Sequence, residues 1–507
     1  MPTTADTPDA HLPHAQGPSR QTWRRWLWMA LIALLLLLAA MAWHTWRLAS
    51  LQKPVAPKPG STVDAQAVAQ RLSAAVQQAT IWTAEDQHAA AFEALHAHLQ
   101  KSFPAAHAVL QRQAFGRHAL LYTWPGRDPK APPIALLAHQ DVVPIAPGTE
   151  KDWEEAPFSG KVKAGFVWGR GAWDDKGNLM AIMEAVEMLA KAGFQPRQTL
   201  YLAFGADEEV GGEDGAKFIA SWLAQQHIKL RFALDEGLLI THGMVPGVRK
   251  PVALIGMAEK GYMTLKLSAH GQPGHTSMPP MRSAIGMVGE AVAQVEAHPM
   301  PARLTGLPTE MFEAVAPEVD GPMRWILSNL WLTSPLVIHE LEKAPSANAM
   351  LRTTAVATVF QAGERENVLP GVASALVNFR LLPGDSSEQV QAHVQQVLKG
   401  LDVQVSLQPQ LAQASPVTPS SDPAYRLLAQ TLRELQPDVV VAPGLLMGGT
   451  DARHYAQVSE ALLRFTPMHA AQADLSRFHG SNERISLDNY VGMIQFYERL
   501  LRNAETL

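Results

Sequence analysis

"LYLAFGADEEVGG", Leu200 to Gly212, is an apolar run that ends in three acids and two glycines. A short, continuous apolar stretch closed by glycine reads as a buried strand followed by a turn. Asp207, Glu208 and Glu209 therefore stand where the chain leaves that strand. In open α/β sheets, functional groups collect at the carboxyl ends of strands. The fold and the site must be read together from this one stretch.

Outward from it, helical and strand periodicities alternate. "AVAQRLSAAVQQAT", "AAFEALHAHLQKSF", "NLMAIMEAVEMLAKAG" and "GAKFIASWLAQQ" read as helices, while "HALLYTWPG", "PIALLAHQDVVP" and "LRFALDEG" read as strands. The pattern predicts an α/β fold, an open mixed sheet with helices on both faces. His139 and Asp141 end one strand, Glu208 and Glu209 the next, and Asp235 with Glu236 a third; Asp174 and Asp175 lie in the Gly-rich loop "GRGAWDDKGN". Beyond "GMAEKG" the order becomes β-α-β-β-α-β, that of a ferredoxin-like α+β unit, interrupted by a Pro- and Trp-containing insertion at about 298–345. A catalytic domain over 62–257 and 411–507, split by an inserted domain at 258–410, is expected.

The first sixty residues have another character. "WLWMALIALLLLLAAMAW", Trp26 to Trp43, is uncharged, with Arg20, Arg24 and Arg25 before it and Arg47 after. As a helix it would be about 27 Å long, close to the roughly 30 Å of a hydrocarbon core. The leading arginines favour a cytoplasmic N-terminal tail over 1–25, a transmembrane anchor over 26–46 and an extracytoplasmic catalytic part. A signal peptide cut near residue 40, giving a secreted protein, is the rival. "KPVAPKPGS", Lys53 to Ser61, closes a stiff linker over 47–61. A net charge of -5, spread along the chain, suggests no nucleic-acid partner. Zero cysteines exclude disulfides, thiolate metal sites and a cysteine nucleophile.

The acids at the strand ends, with His139 and a late histidine, suit divalent cations, which take carboxylate oxygen and imidazole nitrogen. Hydrolysis at a metal pair needs one further carboxylate, outside the ligand set, to take a proton. Taken singly, a strand-end acid is more often a cap or a solvated loop residue. Their recurrence at successive strand ends sets this group apart.

"LLAHQDVVP", "GRGAWDDKGN", "DEEVGG", "LDEG", "GHTS", "NVLPG", "NFR", "GGTDARHY" and "RFHGSNERIS" occur in one order. In that order the chain resembles the aminoacylase and carboxypeptidase family of two-zinc metallopeptidases. The likeness extends to its carboxypeptidase S branch, which includes the secreted N-fatty-acyl-amino-acid synthase/hydrolase. The resemblance implies two Zn2+ ions, with Mn2+ or Co2+ as alternatives. It implies His139, Asp174, Glu209 and His479 as ligands, Asp174 bridging, with one more in "LDEG": Asp235, which is preferred, or Glu236. Glu208 is implied as general base, and Asp141 as the carboxylate that orients His139. His275 is implied as a donor to the substrate oxyanion, often across a dimer interface, and Asn367 and Arg380 as substrate contacts. "GGTDARHY" is implied as a loop facing the substrate. A homodimer through the inserted domain follows from the same likeness.

The expected activity is hydrolysis of an amide beside a free carboxylate, in short peptides or N-acyl amino acids. Reversible condensation of fatty acids with amino acids uses the same residues. A tethered binding protein that has lost catalysis is the alternative from another class, and the presence of Glu208 argues against it. Trp325 and Trp331 of the insertion either line an acyl site or pack the lid, packing being preferred.

Overall fold

The structure, a computed structural model, describes residues 20–245 and 247–507. The tail expected over 1–25 lies, up to residue 19, outside the described residues. The main sheet has eight strands in the spatial order Gln111–Phe115, Ala119–Trp124, Leu200–Gly205, Ile134–His139, Phe232–His242, Leu462–Ala471, Val252–Glu259 and Val440–Leu446. Its centre is parallel, Ile134–His139 lying between Leu200–Gly205 and Phe232–His242, and both ends mix in antiparallel pairs. Strand periodicity sorts the side chains. Leu200, Leu202 and Phe204 enter the core on one face with the helices Ala65–Val76, Lys176–Lys191, Pro423–Leu435 and Leu487–Asn503. Tyr201 and Ala203 enter the core on the other face, with helix Ala216–Gln225. Burial on both faces is why these strands read as continuous apolar runs.

The strands Val252–Glu259, Val440–Leu446 and Leu462–Ala471 complete this sheet beyond the stretches read as strands above. Proline marks two of them. Pro443 is tolerated because Val440–Leu446 is the last strand of the sheet, and Pro467 falls where pairing with Phe232–His242 shifts register. The inserted unit is a four-stranded antiparallel sheet in the order Thr354–Ala362, Val372–Leu381, Gly261–His270, Gln404–Ala412, covered by helices Ala284–Ala297 and Ser387–Val397. This is the ferredoxin-like order expected.

The insertion within that unit departs from expectation. It folds as helices Leu307–Val315, Gly321–Ser328, Leu330–Leu341 and Pro345–Leu351. Met311, Phe312, Val315 and Leu327 form a core with Val252, Val440 and Ala442 of the main sheet. It thus belongs to the edge of the catalytic domain and not to the lid. Trp325 and Trp331 accordingly neither line the cleft nor pack the lid. Among the described residues one helix, Trp23–Arg47, is long and apolar enough to cross a membrane. The segment after it is extended as expected but is not a free linker: Gln52 exchanges hydrogen bonds with the Val441 backbone, and the Lys58 amide donates to the Glu434 carbonyl.

Candidate active site

His139 closes its strand fully buried, and its Nδ1 lies 3.0 Å from the Asp141 carbonyl. A carbonyl only accepts, so Nδ1 carries a proton and Nε2 is the nitrogen turned toward the acids. That Nε2 is 2.9 Å from Asp174 Oδ1 and 3.4 Å from Glu236 Oε1. His479 Nε2 is 2.8 Å from Asp174 Oδ2 and 3.3 Å from Glu209 Oε2. Two triads result, His139–Asp174–Glu236 and Asp174–Glu209–His479, each with its donor atoms within 4.8 Å of one another. Asp174 gives one oxygen to each.

Hydrogen bonding distinguishes the two acids of "LDEG". Both lie in Phe232–His242, where pairing with Leu462–Ala471 shifts register after Asp235 and leaves Glu236 outside the ladder. Asp235 accepts from the Ala452 amide at 2.7 Å and from the Glu236 amide at 3.0 Å. Both of its oxygens serve backbone, and Glu236 joins the triad. The geometry favours Glu236, the alternative, over Asp235.

Three other acids hold the site in shape. The Asp141 carboxylate accepts from the amides of Glu208 at 3.2 Å and Glu209 at 3.1 Å, fixing the 3-10 turn that carries both. Asp207 accepts from the Asp214 amide at 2.6 Å and closes the same turn. Glu483 was missed by the sequence reading, although it stands in the quoted "RFHGSNERIS". Its Oε1 accepts from the amides of Gly171, Trp173 and Asp174, and its Oε2 pairs with Arg170 at 2.5 Å. Arg170 also donates to the His479 carbonyl at 3.1 Å, so one buried ion pair joins the Asp174 loop to the His479 segment. A glutamate four residues after a candidate ligand was the available signal.

The electrostatics are those of a site built for positive charge. Burial pushes the Glu236 carboxyl up to about 8, with the Asp174 charge adding to it. Burial likewise holds Glu208 well above the usual carboxylate range. Hydrogen bonds that His479 donates to Asp174 and Glu209 raise it to about 10. Burial opposes charge at His139, yet its contacts with Asp141, Asp174 and Glu236 hold it well above its ordinary value. Among the described residues no lysine or arginine pairs with Asp174, Glu209 or Glu236, and Glu209 Oε1 is buried without a partner. Imidazole and carboxylate donors in two triads that share one acid fit a pair of divalent cations.

The triads face an open cleft of about 1070 Å³ between the two domains. Glu208 lines it and belongs to neither triad; its nearest cation is Arg453, 3.8 Å away. Arg380 and Tyr262 line it from the inserted unit, the guanidinium 5.1 Å over the ring. "GGTDARHY" contributes Gly448, Gly449, Thr450, Arg453 and His454. Behind it Asp451 is buried against the acidic turn so closely that a Cβ at Gly205 or Gly212 would lie 2.1 or 2.2 Å from its oxygens. His275 and Asn367 are exposed beside each other, on and next to the short pair Gly274–His275 and Val368–Leu369, and neither lines the cleft of its own chain.

These features define a hydrolytic metalloenzyme. The chain belongs to Peptidase family M20/M25/M40, whose profile matches residues 135–503. It is 38% identical over 444 residues to "Probable carboxypeptidase S-like 2" of Dictyostelium discoideum, covering 86% of this chain and 85% of the relative. It is also 38% identical over 440 residues to the "N-fatty-acyl-amino acid synthase/hydrolase PM20D1" of Xenopus tropicalis, with 86% and 85% covered. In fold it matches the M20 family metallo-carboxypeptidase Sso-CP2 of Sulfolobus solfataricus with a TM-score of 0.63 at 16% identity, covering 88% of this chain and 100% of that one. The protein is a metallopeptidase-class amidohydrolase.

Proposed function

We propose that this enzyme hydrolyses the amide bond beside a free carboxylate, releasing the C-terminal residue of a short peptide or the amino acid of an N-acyl amino acid. The observation that carries this reading is the pair of triads sharing Asp174, with Glu208 beside them in the cleft and in neither. His139, Asp174 and Glu236 would hold one divalent ion, and Asp174, Glu209 and His479 the other. The N/O donor set suits Zn2+ and is shared by Mn2+ and Co2+. Bound there, such ions supply Lewis acidity to a water and to the amide carbonyl.

Glu208 takes the proton of the attacking water and returns it to the leaving amine. Its burial, which raises its affinity for a proton, suits it to both halves of that exchange. Arg380 binds the substrate carboxylate with its two-pronged guanidinium. His275 and Asn367, outside the cleft of their own chain, act on the cleft of a second copy, where His275 donates to the developing oxyanion. The enzyme is anchored by the helix Trp23–Arg47, with its N-terminus cytoplasmic and its catalytic part outside.

Glu208→Gln tests the chemistry: turnover should fall by about 10²–10⁴-fold, the usual weight of a general base, while bound metal stays at the parent level. A variant with undiminished turnover removes Glu208 from the mechanism. Metal-free, inert parent protein would favour a binding protein instead. A second reading, reversible condensation of a fatty acid with an amino acid, is favoured by the name of the Xenopus relative. Incubating metal-loaded enzyme with both components and assaying N-acyl product separates the two directions.

A further inference from the structure

The insertion lies far from the chemistry, yet it is tied to the apolar helix by specific contacts. Asn329, fully buried, donates through Nδ2 to the Met41 carbonyl at 3.3 Å and to Thr45 Oγ1 at 3.0 Å. Its own Oδ1 accepts from Trp331 Nε1 at 3.2 Å. Met41 is 3% exposed, whereas the helix around it is largely open. Leu48 then packs against the core that contains Val252, Phe312 and Val440. The end of the apolar helix is thus docked on the catalytic domain through the insertion.

Next to that dock, Leu330–Leu341 has two unlike faces. Val337 is buried, and Leu330 and Leu341 pack against the same core. Trp331, Leu332, Pro335 and Leu336, spaced as neighbours on one side of a helix, are exposed, Trp331 by 58% and Leu336 by 52%. From Leu327 to Ile338 there is no charged residue. At twelve residues this helix is about 18 Å long, too short to span a core of roughly 30 Å. A helix too short to span can instead lie in the plane of a membrane interface, its apolar face toward the acyl chains.

We propose that helix Leu330–Leu341 is a membrane seat: its Trp331–Leu332–Leu336 face rests in the interface of the lipid bilayer that the helix Trp23–Arg47 crosses. Continuity identifies the occupant. Asn329 fixes the start of the seat at the level of Met41 and Thr45, the end of the apolar span. Trp43 and Trp46, both exposed, lie at that same end, where interfacial tryptophans concentrate. With Gln52 bound to the edge strand at Val441, anchor, seat and sheet form one rigid mount, and the catalytic domain holds a set orientation on the membrane.

The seat rests on the anchoring proposed above, and the test separates the two. The chain has no cysteine, so a single introduced thiol carries a nitroxide without background. Full-length Leu332→Cys and Leu336→Cys are compared in phosphatidylcholine vesicles with Leu35→Cys in the anchor and Lys399→Cys on the inserted domain, each checked for parent hydrolysis rate. The expected result at 332 and 336 is loss of collisions with a water-soluble nickel chelate and gain of collisions with oxygen, relative to 399. Water-like values at both positions, with lipid-like values at 35, overturn the seat. Water-like values at 35 as well, or a mature chain beginning near residue 41, overturn the anchor and the seat with it. A label-free arm uses Trp331→Phe in vesicles of brominated phosphatidylcholine: part of the tryptophan quenching should disappear, and unchanged quenching contradicts the proposal.

Discussion

Neighbouring acids end two strands of the sheet, and the chain treats them differently. In "LDEG" the pairing shifts register directly after Asp235, and one acid serves backbone amides while the other turns to His139. In "DEEVGG" the strand has ended at Gly205, and Glu208 and Glu209 share a 3-10 turn. There both acids line the cleft, held by one carboxylate, Asp141. Adjacent residues can take separate duties at a break in a ladder by facing apart, and on a turn by leaning together over one spot.

Substitutions can break this comparison. The largest effect falls on Glu236→Ala, which should lose one bound ion of the pair and with it turnover, read by metal analysis and amide hydrolysis. Its neighbour Asp235→Ala should keep both ions and lower stability by about 1–3 kcal/mol through two unsatisfied amides, read by denaturant unfolding. Should Asp235→Ala lose the ion and Glu236→Ala keep it, the assignment by hydrogen-bond partner is wrong. Glu483→Gln leaves Arg170 buried without its counter-charge and should destabilise by about 3–5 kcal/mol, visible as a lower Tm. An unchanged Tm would mean that the loop of Asp174 is held by something else. Asp141→Asn should weaken metal affinity or activity by about 10–100-fold and act on the turn rather than on "LDEG". Parent-like metal binding would show that the turn needs no such support.

Much of this was legible in the sequence where local pattern and tertiary role coincide. Leu200–Gly205 and Ile134–His139 are buried on both faces and read as apolar runs, and the acids after them mark the strand ends. The ferredoxin-like order was legible for the same reason, since its strands and helices alternate without a strong conflicting signal. Val440–Leu446 and Leu462–Ala471 were not, because Pro443 and Pro467 argue against a strand unless the edge position and the register shift are known. Asp235 and Glu236 could not be separated because strand phase depends on pairing. The packing of the insertion was illegible because its apolar residues fit any apolar surface, and only the sheet edge at Val440 and Ala442 says which one.

Glu483 has a further consequence, for biosynthesis. His139, Asp174, Glu209 and Glu236 all leave the ribosome well before His479 and Glu483. Until those last residues arrive, one triad lacks its imidazole and the loop of Asp174 lacks the carboxylate that gathers its amides. A chain still being made thus carries an unfinished centre until the final helix has closed over the sheet.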